Sequence, residues 1–121
     1  ELGGGLGFIA AFTNRRLSEA STHLVVEANP RLWGIIERTH KLNQVRFKLI
    51  SKAYHPTEDT VDFYRHPHFW SNSTVSGSGE AMQIKTTNLR ELCDEYSLND
   101  FSLIVDIEGA EVGLAGEISV L

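Results

Sequence analysis

A run of glycines at the start of the chain restricts its possible folds more than any other stretch. Residues 1–8 read Glu-Leu-Gly-Gly-Gly-Leu-Gly-Phe, an acid followed by glycine at every second position. Glycine lets a backbone turn sharply and approach a ligand closely, because it has no Cβ. An apolar segment capable of forming a helix follows, and the free N–H groups at a helix start attract polar or anionic ligands. The run therefore predicts a loop that binds a nucleotide-like cofactor, with a flexible terminal linker as the alternative.

The remainder of the chain alternates strand patterns with helix patterns. This alternation indicates a parallel sheet with right-handed crossovers. We therefore predict one α/β domain over residues 1–121, with a mostly parallel sheet, flanking helices and a small antiparallel extension. On the first helix Phe8, Ile9 and Phe12 share one face, and Asn14, Arg15 and Arg16 lie opposite. The expected elements are helix 6–17, strand 23–27, helix 29–43, strand 45–49, strands 61–64 and 82–86, helix 88–96, strand 101–106, and a tail with a helical turn and a strand at 118–121.

Composition and length restrict the partners and the compartment. A chain of 121 residues has the size of one domain, and only Glu1-Leu2 stands where a strand should lead into the glycine loop. We therefore expect a fragment of the domain, incomplete at both termini. The net charge of −5 argues against nucleic acid. No apolar run reaches the roughly 18 residues of a membrane span, so no membrane partner is expected. The single cysteine, Cys93, suits a reducing compartment, and we expect a cytoplasmic protein.

Candidate binding residues follow the predicted strands at their carboxyl ends. Open α/β sheets bind ligands at that edge. The glycine loop follows the first strand, Glu27 closes the second, residues 51–53 close the third, and Asp106 closes the last. A carboxylate at the position of Glu27 can accept both hydroxyl groups of a ribose, as the acid of a dinucleotide-binding unit does. The sequence therefore predicts a cofactor site at this edge, with a solvated acid as the alternative for Glu27.

Two cofactors fit this arrangement. Gly5, Gly7 and Ala10 match the dinucleotide fingerprint G-x-G-x-x-A, which favours an NAD-dependent oxidoreductase domain. Glu1, two residues before the first glycine, better suits a cationic ligand with an amino-acid part than a pyrophosphate. S-adenosylmethionine has an ammonium and a sulfonium and no phosphate, so it is the favoured cofactor. A third reading is a non-catalytic fragment that retains the fold and binds nothing.

Four segments in the expected order resemble the FkbM family of class I methyltransferases. Residues 1–7 resemble methyltransferase motif I, and Val26-Glu27-Ala28-Asn29-Pro30 resembles the second motif of that family. Ala53 and residues 55–64 are similar to the family's segment after the third strand. Asp106-Ile107-Glu108-Gly109-Ala110-Glu111 resembles its D-[VI]-E-G-x-E signature, the most specific match. The chain departs from the family at Ile104, where many members have lysine, and at Ala28, where proline is usual.

The resemblance implies a Rossmann-like methyltransferase fold and S-adenosylmethionine as cofactor. It implies an activity on hydroxyl oxygens of sugars, polyketides or similar small molecules. Asp106 would stand beside the sulfonium and the acceptor. Asp106 or Glu108 would serve as general base if burial raised its pKa, while Glu108 has an equal alternative role as an acid at a helix start. The implied cofactor-binding residues are Glu1, Gly3, Gly5, Gly7, Glu27, Ala28, Asn29, Ala53 and Asp106.

The remaining features predict structure more than chemistry. His55 and residues 66–68 contain three histidines, but no cysteine or carboxylate joins them at ligand spacing, so no metal site is predicted. Residues 69–79 read as a disordered loop, or alternatively as a lid over the substrate. Cys93 falls on the apolar face of its helix and is expected in the core.

Overall fold

The structure, a computed structural model, describes residues 1–65, 80–107 and 109–119. Within them the chain is a mixed α/β protein with a small parallel sheet and flanking helices. The helices are α1 Phe8–Asn14, α2 Pro30–Asn43, α3 Leu89–Tyr96 and α4 Glu111–Ile118, with a 3-10 turn at Ala20–Thr22. The strands are β1 Leu24–Val26, β2 Lys48–Ile50, β3 Ala53–Tyr54, β4 Thr60–Arg65 and β5 Glu80–Thr87.

The parallel sheet places the start of the chain at its centre. β1 pairs with β2 in parallel, with Val25 opposite Leu49. Leu2 makes parallel bridges to Val26 on one side and to Val105 on the other. The spatial order is therefore β2, β1, Leu2, Val105, and the loop that follows Leu2 emerges between two neighbouring strand positions. Open α/β sheets have the same arrangement at the point where the strand order reverses.

The strand expected over residues 101–106 is shorter in the structure, where only Val105 forms a bridge. Leu2 N–H donates to the Ile104 carbonyl at 2.8 Å, and Asp106 N–H donates to the Leu2 carbonyl at 2.9 Å. A strand is stabilised by the neighbour with which it exchanges hydrogen bonds. Both hydrogen bonds of this segment are with Leu2. The strand pairing of residues 101–106 is therefore confined to the residues around Val105.

A second sheet has the order β3, β5, β4 and forms the antiparallel extension. β3 runs parallel to β5, whereas β4 runs antiparallel to it, with Val61 opposite Ile84. Both strands of the antiparallel pair are longer than the sequence predicted. Residues 66–79, which connect them and include the predicted loop and two of the three histidines considered above, lie outside the described residues.

Helices α2 and α3 begin at the capping residues that the sequence identified. The Asn29 side chain accepts a hydrogen bond from Arg31 N–H at 3.1 Å, and Pro30 occupies the first turn of α2. The Asn88 side chain accepts from Glu91 N–H at 2.8 Å and begins α3. α4 continues to Ile118, where the sequence predicted the start of a strand, and residues 120–121 are not described.

Helices cover both faces of the parallel sheet. Successive strand residues point to opposite faces. Val25 therefore packs with α1 and α2, in a cluster that includes Leu32, Ile36 and Phe47. Leu24 and Val26 point the other way. They pack with residues of α3, α4 and the chain start in a second cluster, whose other buried members are Leu2, Ile50, Tyr54, Leu89, Leu92 and Leu114.

The face that α1 presents to the core is not its most apolar one. Ala10 and Ala11 are buried with Asn14, whose amide donates to the Ala20 carbonyl and whose Oδ1 accepts from Arg46 N–H. Small side chains let α1 lie close to its neighbours, and the hydrogen bonds satisfy the buried amide. Phe8, Ile9 and Phe12 are consequently exposed, at 67%, 57% and 59%. Across the described ranges, no helix combines the length and apolar character needed to span a bilayer.

Candidate functional site

The glycine loop turns through conformations that favour glycine. Gly3, Gly5 and Gly7 have φ values of 87°, 52° and 78°, all in the left-handed region. Two successive N–H groups, of Gly3 and Gly4, donate to the Val26 carbonyl at 2.9 and 3.1 Å. The loop is therefore fixed to the end of β1 before it enters α1.

Two glycines of the loop also have no room for a side chain. A Cβ on Gly3 would overlap the Asp106 carbonyl oxygen. A Cβ on Gly4 would lie 2.7 Å from Cγ1 of Val25, which is closer than real Cβ contacts. Sequence reasoning assigned no role to Gly4, and its place in the glycine run was the only available signal. The loop thus packs against both neighbouring strand ends.

Glu27 connects the loop to the end of β1. Its side chain accepts from Gly5 N–H at 2.8 Å through Oε2 and from Asn29 N–H at 2.7 Å through Oε1. The residue is 8% exposed. Burial raises the pKa of the Glu27 carboxyl above its ordinary value, while the backbone N–H groups of Asn29, Gly5, Gly4 and Ala28 act in the opposite direction. A buried, hydrogen-bonded carboxylate thus stands beside the loop.

Asn29 and Trp33 extend this hydrogen-bonded group into α2. Trp33 Nε1–H donates to the Glu27 carbonyl at 2.8 Å. The sequence analysis did not predict this contact. Its only signal was a tryptophan six residues after the acid. Asn29 is 3% exposed, and its Nδ2 has no partner among the described residues. A buried N–H donor without an acceptor is uncommon in folded proteins.

Asp106 lies on the other side of the loop from Glu27. Its N–H is bonded to the Leu2 carbonyl, and its own carbonyl faces Gly3. Its side chain is exposed. The burial on which its role as general base depended is therefore not present in this structure. Glu108, the other candidate base, lies outside the described residues.

The Glu1 side chain, which was predicted to hold the methionine part of a cofactor, contacts His23 instead. Glu1 Oε2 lies 3.6 Å from His23 Nε2, and the two side chains are 2% and 7% exposed. This distance suits an ion pair when the histidine is protonated but is too long for a hydrogen bond, and Glu1 Oε2 has no other partner in the described chain. The backbone of Glu1 does contribute, because its carbonyl accepts from Val26 N–H.

Glu1 and His23 line a cavity of about 510 Å³ that is separate from the loop. The cavity lies beside the amino end of β1 and the segment 101–104, among apolar side chains such as Leu24, Leu89 and Leu92. Its lining includes none of Gly3–Gly7, Glu27–Asn29 or Asp106. Of the predicted cofactor residues, Glu1 lines this cavity and the others do not.

Ala53 begins β3 of the second sheet, and Ala28, which follows β1, packs against the same sheet. Ala53 is fully buried with Phe63 and Ile84, and Ala28 packs against that cluster. The structure thus brings the backbone of the loop Gly3–Gly7, the side chains of Glu27 and Asn29 and the backbone of Asp106 to one edge, which we call the carboxyl edge. Ala53 is adjacent through Ala28, and its methyl group is covered by the core.

Other reactive side chains are isolated from this edge. Cys93 is half-buried and lines the cavity, and burial raises the pKa of its thiol, with further effects from Asp94 and Glu117. Within residues 1–65, 80–107 and 109–119, no three His, Cys, Asp or Glu side chains are grouped so that they could hold a metal ion. Comparisons with protein-family models, with curated proteins and with solved structures find no match for this chain.

Proposed function

We propose that the carboxyl edge binds S-adenosylmethionine and that the protein is a methyltransferase acting on a hydroxyl of a small molecule or sugar. The observation that carries this proposal is the pair of hydrogen bonds that Glu27 accepts from Gly5 and Asn29. They bring a glycine loop and a buried acid together at the carboxyl ends of adjacent parallel strands. The resemblance of four sequence segments to FkbM methyltransferases supports the same conclusion.

The residues present fit the nucleoside part of this cofactor. A carboxylate offers about four lone-pair positions, and Glu27 uses two of them for backbone N–H groups. The others are suited to the two hydroxyl groups of a ribose. The unpartnered Nδ2 of Asn29 is a buried donor at the same edge, and the ring nitrogens of a purine are acceptors. Both features match a nucleoside lying along the start of α2.

The hydrogen bond to Gly5 favours S-adenosylmethionine over a dinucleotide. A pyrophosphate in this kind of loop is bound by backbone N–H groups. Here the Gly5 N–H already donates to the Glu27 carboxylate, and a second anion beside that carboxylate would be repelled. A cationic, phosphate-free ligand has neither difficulty. An NAD-dependent oxidoreductase is therefore the second candidate, supported by the spacing of Gly5, Gly7 and Ala10 and by the acid Glu27.

The chemistry at this edge would depend on positioning. The bound cofactor supplies an electrophilic methyl group on sulfur, and in-line displacement by an oxygen nucleophile is accelerated by holding the two reactants in line. Asp106 is well placed to orient an acceptor, since its backbone is fixed by Leu2 and lies against Gly3. Its exposed carboxylate can accept a hydrogen bond from an acceptor hydroxyl, whose proton passes to water as the methyl group is transferred.

Isothermal titration calorimetry with S-adenosylhomocysteine and with NAD tests the proposal. We expect saturable binding of S-adenosylhomocysteine and none of NAD. Glu27→Ala should weaken that binding by about 1–3 kcal/mol, because two ligand hydroxyls lose their acceptor. Glu37→Ala, a change of an exposed acid on α2, should leave it unchanged.

Each alternative has its own outcome in the same experiment. Binding of NAD without S-adenosylhomocysteine would support the oxidoreductase. Binding of neither at millimolar concentration would support a non-catalytic domain that retains only the fold. Equal affinity of wild type and Glu27→Ala would remove Glu27 from the site.

A further inference from the structure

Large apolar side chains are exposed on two neighbouring helices. On α1, Phe8, Ile9 and Phe12 are each more than half exposed. On α2, Ile35 is 45% exposed and Leu42 is 73% exposed. Exposed apolar residues that form one contiguous patch mark a binding surface far more often than the same residues scattered singly. Whether these five form such a patch depends on how the helices lie.

Two hydrogen bonds join the residues that flank α1 to the C-terminal part of α2. Thr39 Oγ1 donates to the Leu6 carbonyl just before α1, at 2.9 Å. The Arg15 guanidinium, just after α1, donates to the Asn43 carbonyl at the end of α2, at 3.0 Å. Residues spaced three and four apart share one side of a helix, so Ile35 and Leu42 lie beside Thr39, on the side of α2 that is nearest α1. The exposed apolar residues of α2 are therefore on the side of that helix that is close to α1.

Cationic side chains are interleaved with these apolar residues. Arg31 and Arg38 alternate with Ile35 and Leu42 along the same side of α2, and both are exposed. Arg15 and Arg16 follow α1, and the Arg16 guanidinium stacks 3.5 Å above the Phe12 ring. We call the set the basic-apolar face. It comprises Phe8, Ile9, Phe12, Arg15, Arg16, Arg31, Ile35, Arg38 and Leu42.

The two helices themselves carry a single acidic residue. Residues 2–18 contain none, and the acid on α2, Glu37, is about 200° around the helix from Ile35. Residues 2–57 hold eight Lys or Arg and three acids, a net charge of +5. Residues 58–121 hold three Lys or Arg and twelve acids, a net charge of −9, with Glu1 as the remaining acid. Such a charge asymmetry between halves indicates an anionic partner for the basic part.

We propose that the basic-apolar face binds the surface of an anionic lipid bilayer. Phe8, Phe12 and Leu42 are each more than half exposed. Side chains exposed in this way can insert among lipid acyl chains, which need no preformed pockets to receive them. The interleaved arginines would meet lipid phosphates, as they do on helices that lie in a bilayer interface. Nucleic acid would use the arginines but would leave the projecting apolar side chains without a partner.

This proposal is independent of the methyltransferase proposal and differs from the expectation drawn from composition. That expectation considered only the net charge and the length of apolar runs. Neither quantity detects a local face on which cationic and apolar side chains alternate at helical spacing. A surface of this kind lies on a bilayer and does not span it.

Vesicle co-sedimentation tests the proposal with the whole chain. Wild type should sediment with vesicles of phosphatidylcholine containing about a third phosphatidylserine, and much less with phosphatidylcholine alone. Phe12→Ser and Leu42→Ser should each lower the partition coefficient by about tenfold or more, through lost apolar burial. Arg38→Ala should lower it about fivefold through one lost cation.

Two matched controls change the other half of the chain. Val112, 85% exposed on α4, and Lys85, exposed on β5, are replaced as Val112→Ser and Lys85→Ala, and neither should alter vesicle binding. All five positions are exposed, and circular dichroism should show the same fold for each variant. Failure of wild type to sediment with either vesicle, or equal losses in the controls, would overturn the proposal. So would wild type that dimerises or binds duplex DNA but ignores vesicles.

Discussion

At the scale of single residues, Glu27 combines two opposing effects. Burial disfavours its charged form, while four backbone N–H groups favour it. The net direction is a raised pKa, so burial outweighs the hydrogen bonds. A carboxylate in such a position is sensitive to small changes around it, which is typical of ligand-binding acids.

Glu27→Gln should lower the free energy of unfolding at neutral pH by roughly 1–3 kcal/mol, because the amide NH₂ would face a backbone N–H and leave it unpaired. Urea unfolding of wild type and variant measures this difference. Glu37→Gln, the same change on the exposed side of α2, should have little effect. Equal stabilities of wild type and Glu27→Gln would mean that the bonds to Gly5 and Asn29 do not hold the loop.

The same pair of proteins should show a defined pH dependence. The ordinary pKa of a glutamate is 4.5, and the pKa of Glu27 in the folded state lies above it. The folded state therefore binds this proton more tightly than the unfolded state. The stability of wild type relative to Glu27→Gln should be greatest below about pH 4.5 and should fall as the pH rises through the folded pKa. A relative stability that rises over the same range would contradict the raised pKa.

Tyr54 and Glu117 connect β3 to α4 by a hydrogen bond of 2.8 Å. Burial raises the pKa of the Tyr54 hydroxyl above its ordinary value of 10, and Glu117 raises it further. Tyr54→Phe should cost roughly 1–3 kcal/mol of stability below pH 10, since the bond has a charged acceptor. The advantage of wild type should begin to fall once the pH exceeds 10, because the unfolded chain then loses this proton while the folded chain keeps it. Thermal unfolding from pH 8 to 11 measures it, and a difference that grows with pH would contradict this account.

At the scale of elements, the sequence was most informative where local chemistry decides the structure. Asn29-Pro30 and Asn88 predicted the starts of α2 and α3 because a capping side chain acts within three residues of itself. The alternation of apolar Val61 and Phe63 with polar neighbours predicted β4, because side chains of a strand alternate between its two faces.

Features that depend on distant contacts could not be read from the sequence. The outward face of α1 is set by the close fit of Ala10 and Ala11 against neighbouring elements, which residue spacing does not encode. The pairing of Glu1 with His23 joins residues 22 positions apart in the chain. Around Val105 the strand is short because its pairing runs through Leu2. The glycine loop, Glu27 and Asp106 could be predicted to lie near one another, because the carboxyl ends of parallel strands meet at one edge of a sheet.

The junction between the glycine loop and the segment after Val105 should tolerate no side chain at Gly3. Gly3→Ala places a Cβ onto the Asp106 carbonyl in a left-handed conformation, and should cost more than about 2 kcal/mol. Gly34→Ala is the matched control, because nothing lies within 4 Å of its Cβ position in α2. It should gain roughly 0.5–1 kcal/mol through helix propensity. Urea unfolding compares the two, and a stable Gly3→Ala would show that the loop lies elsewhere.

At the scale of the whole molecule, three regions have separate properties. The carboxyl edge joins the glycine loop, Glu27 and the backbone of Asp106. The cavity beside His23 lies at the amino end of β1. The basic-apolar face lies on the outer side of α1 and α2. Cofactor binding and bilayer binding can thus be tested independently, because they involve different residues.

The most direct test of the central claim is amide NMR of the ¹⁵N-labelled chain titrated with S-adenosylhomocysteine. If the carboxyl edge is the cofactor site, the amide signals of Gly3–Gly7, Glu27–Asn29 and Asp106 should shift together and saturate. Signals from residues 92–104, beside the cavity, should stay in place. Shifts confined to residues 92–104, or none at millimolar ligand, would contradict the claim.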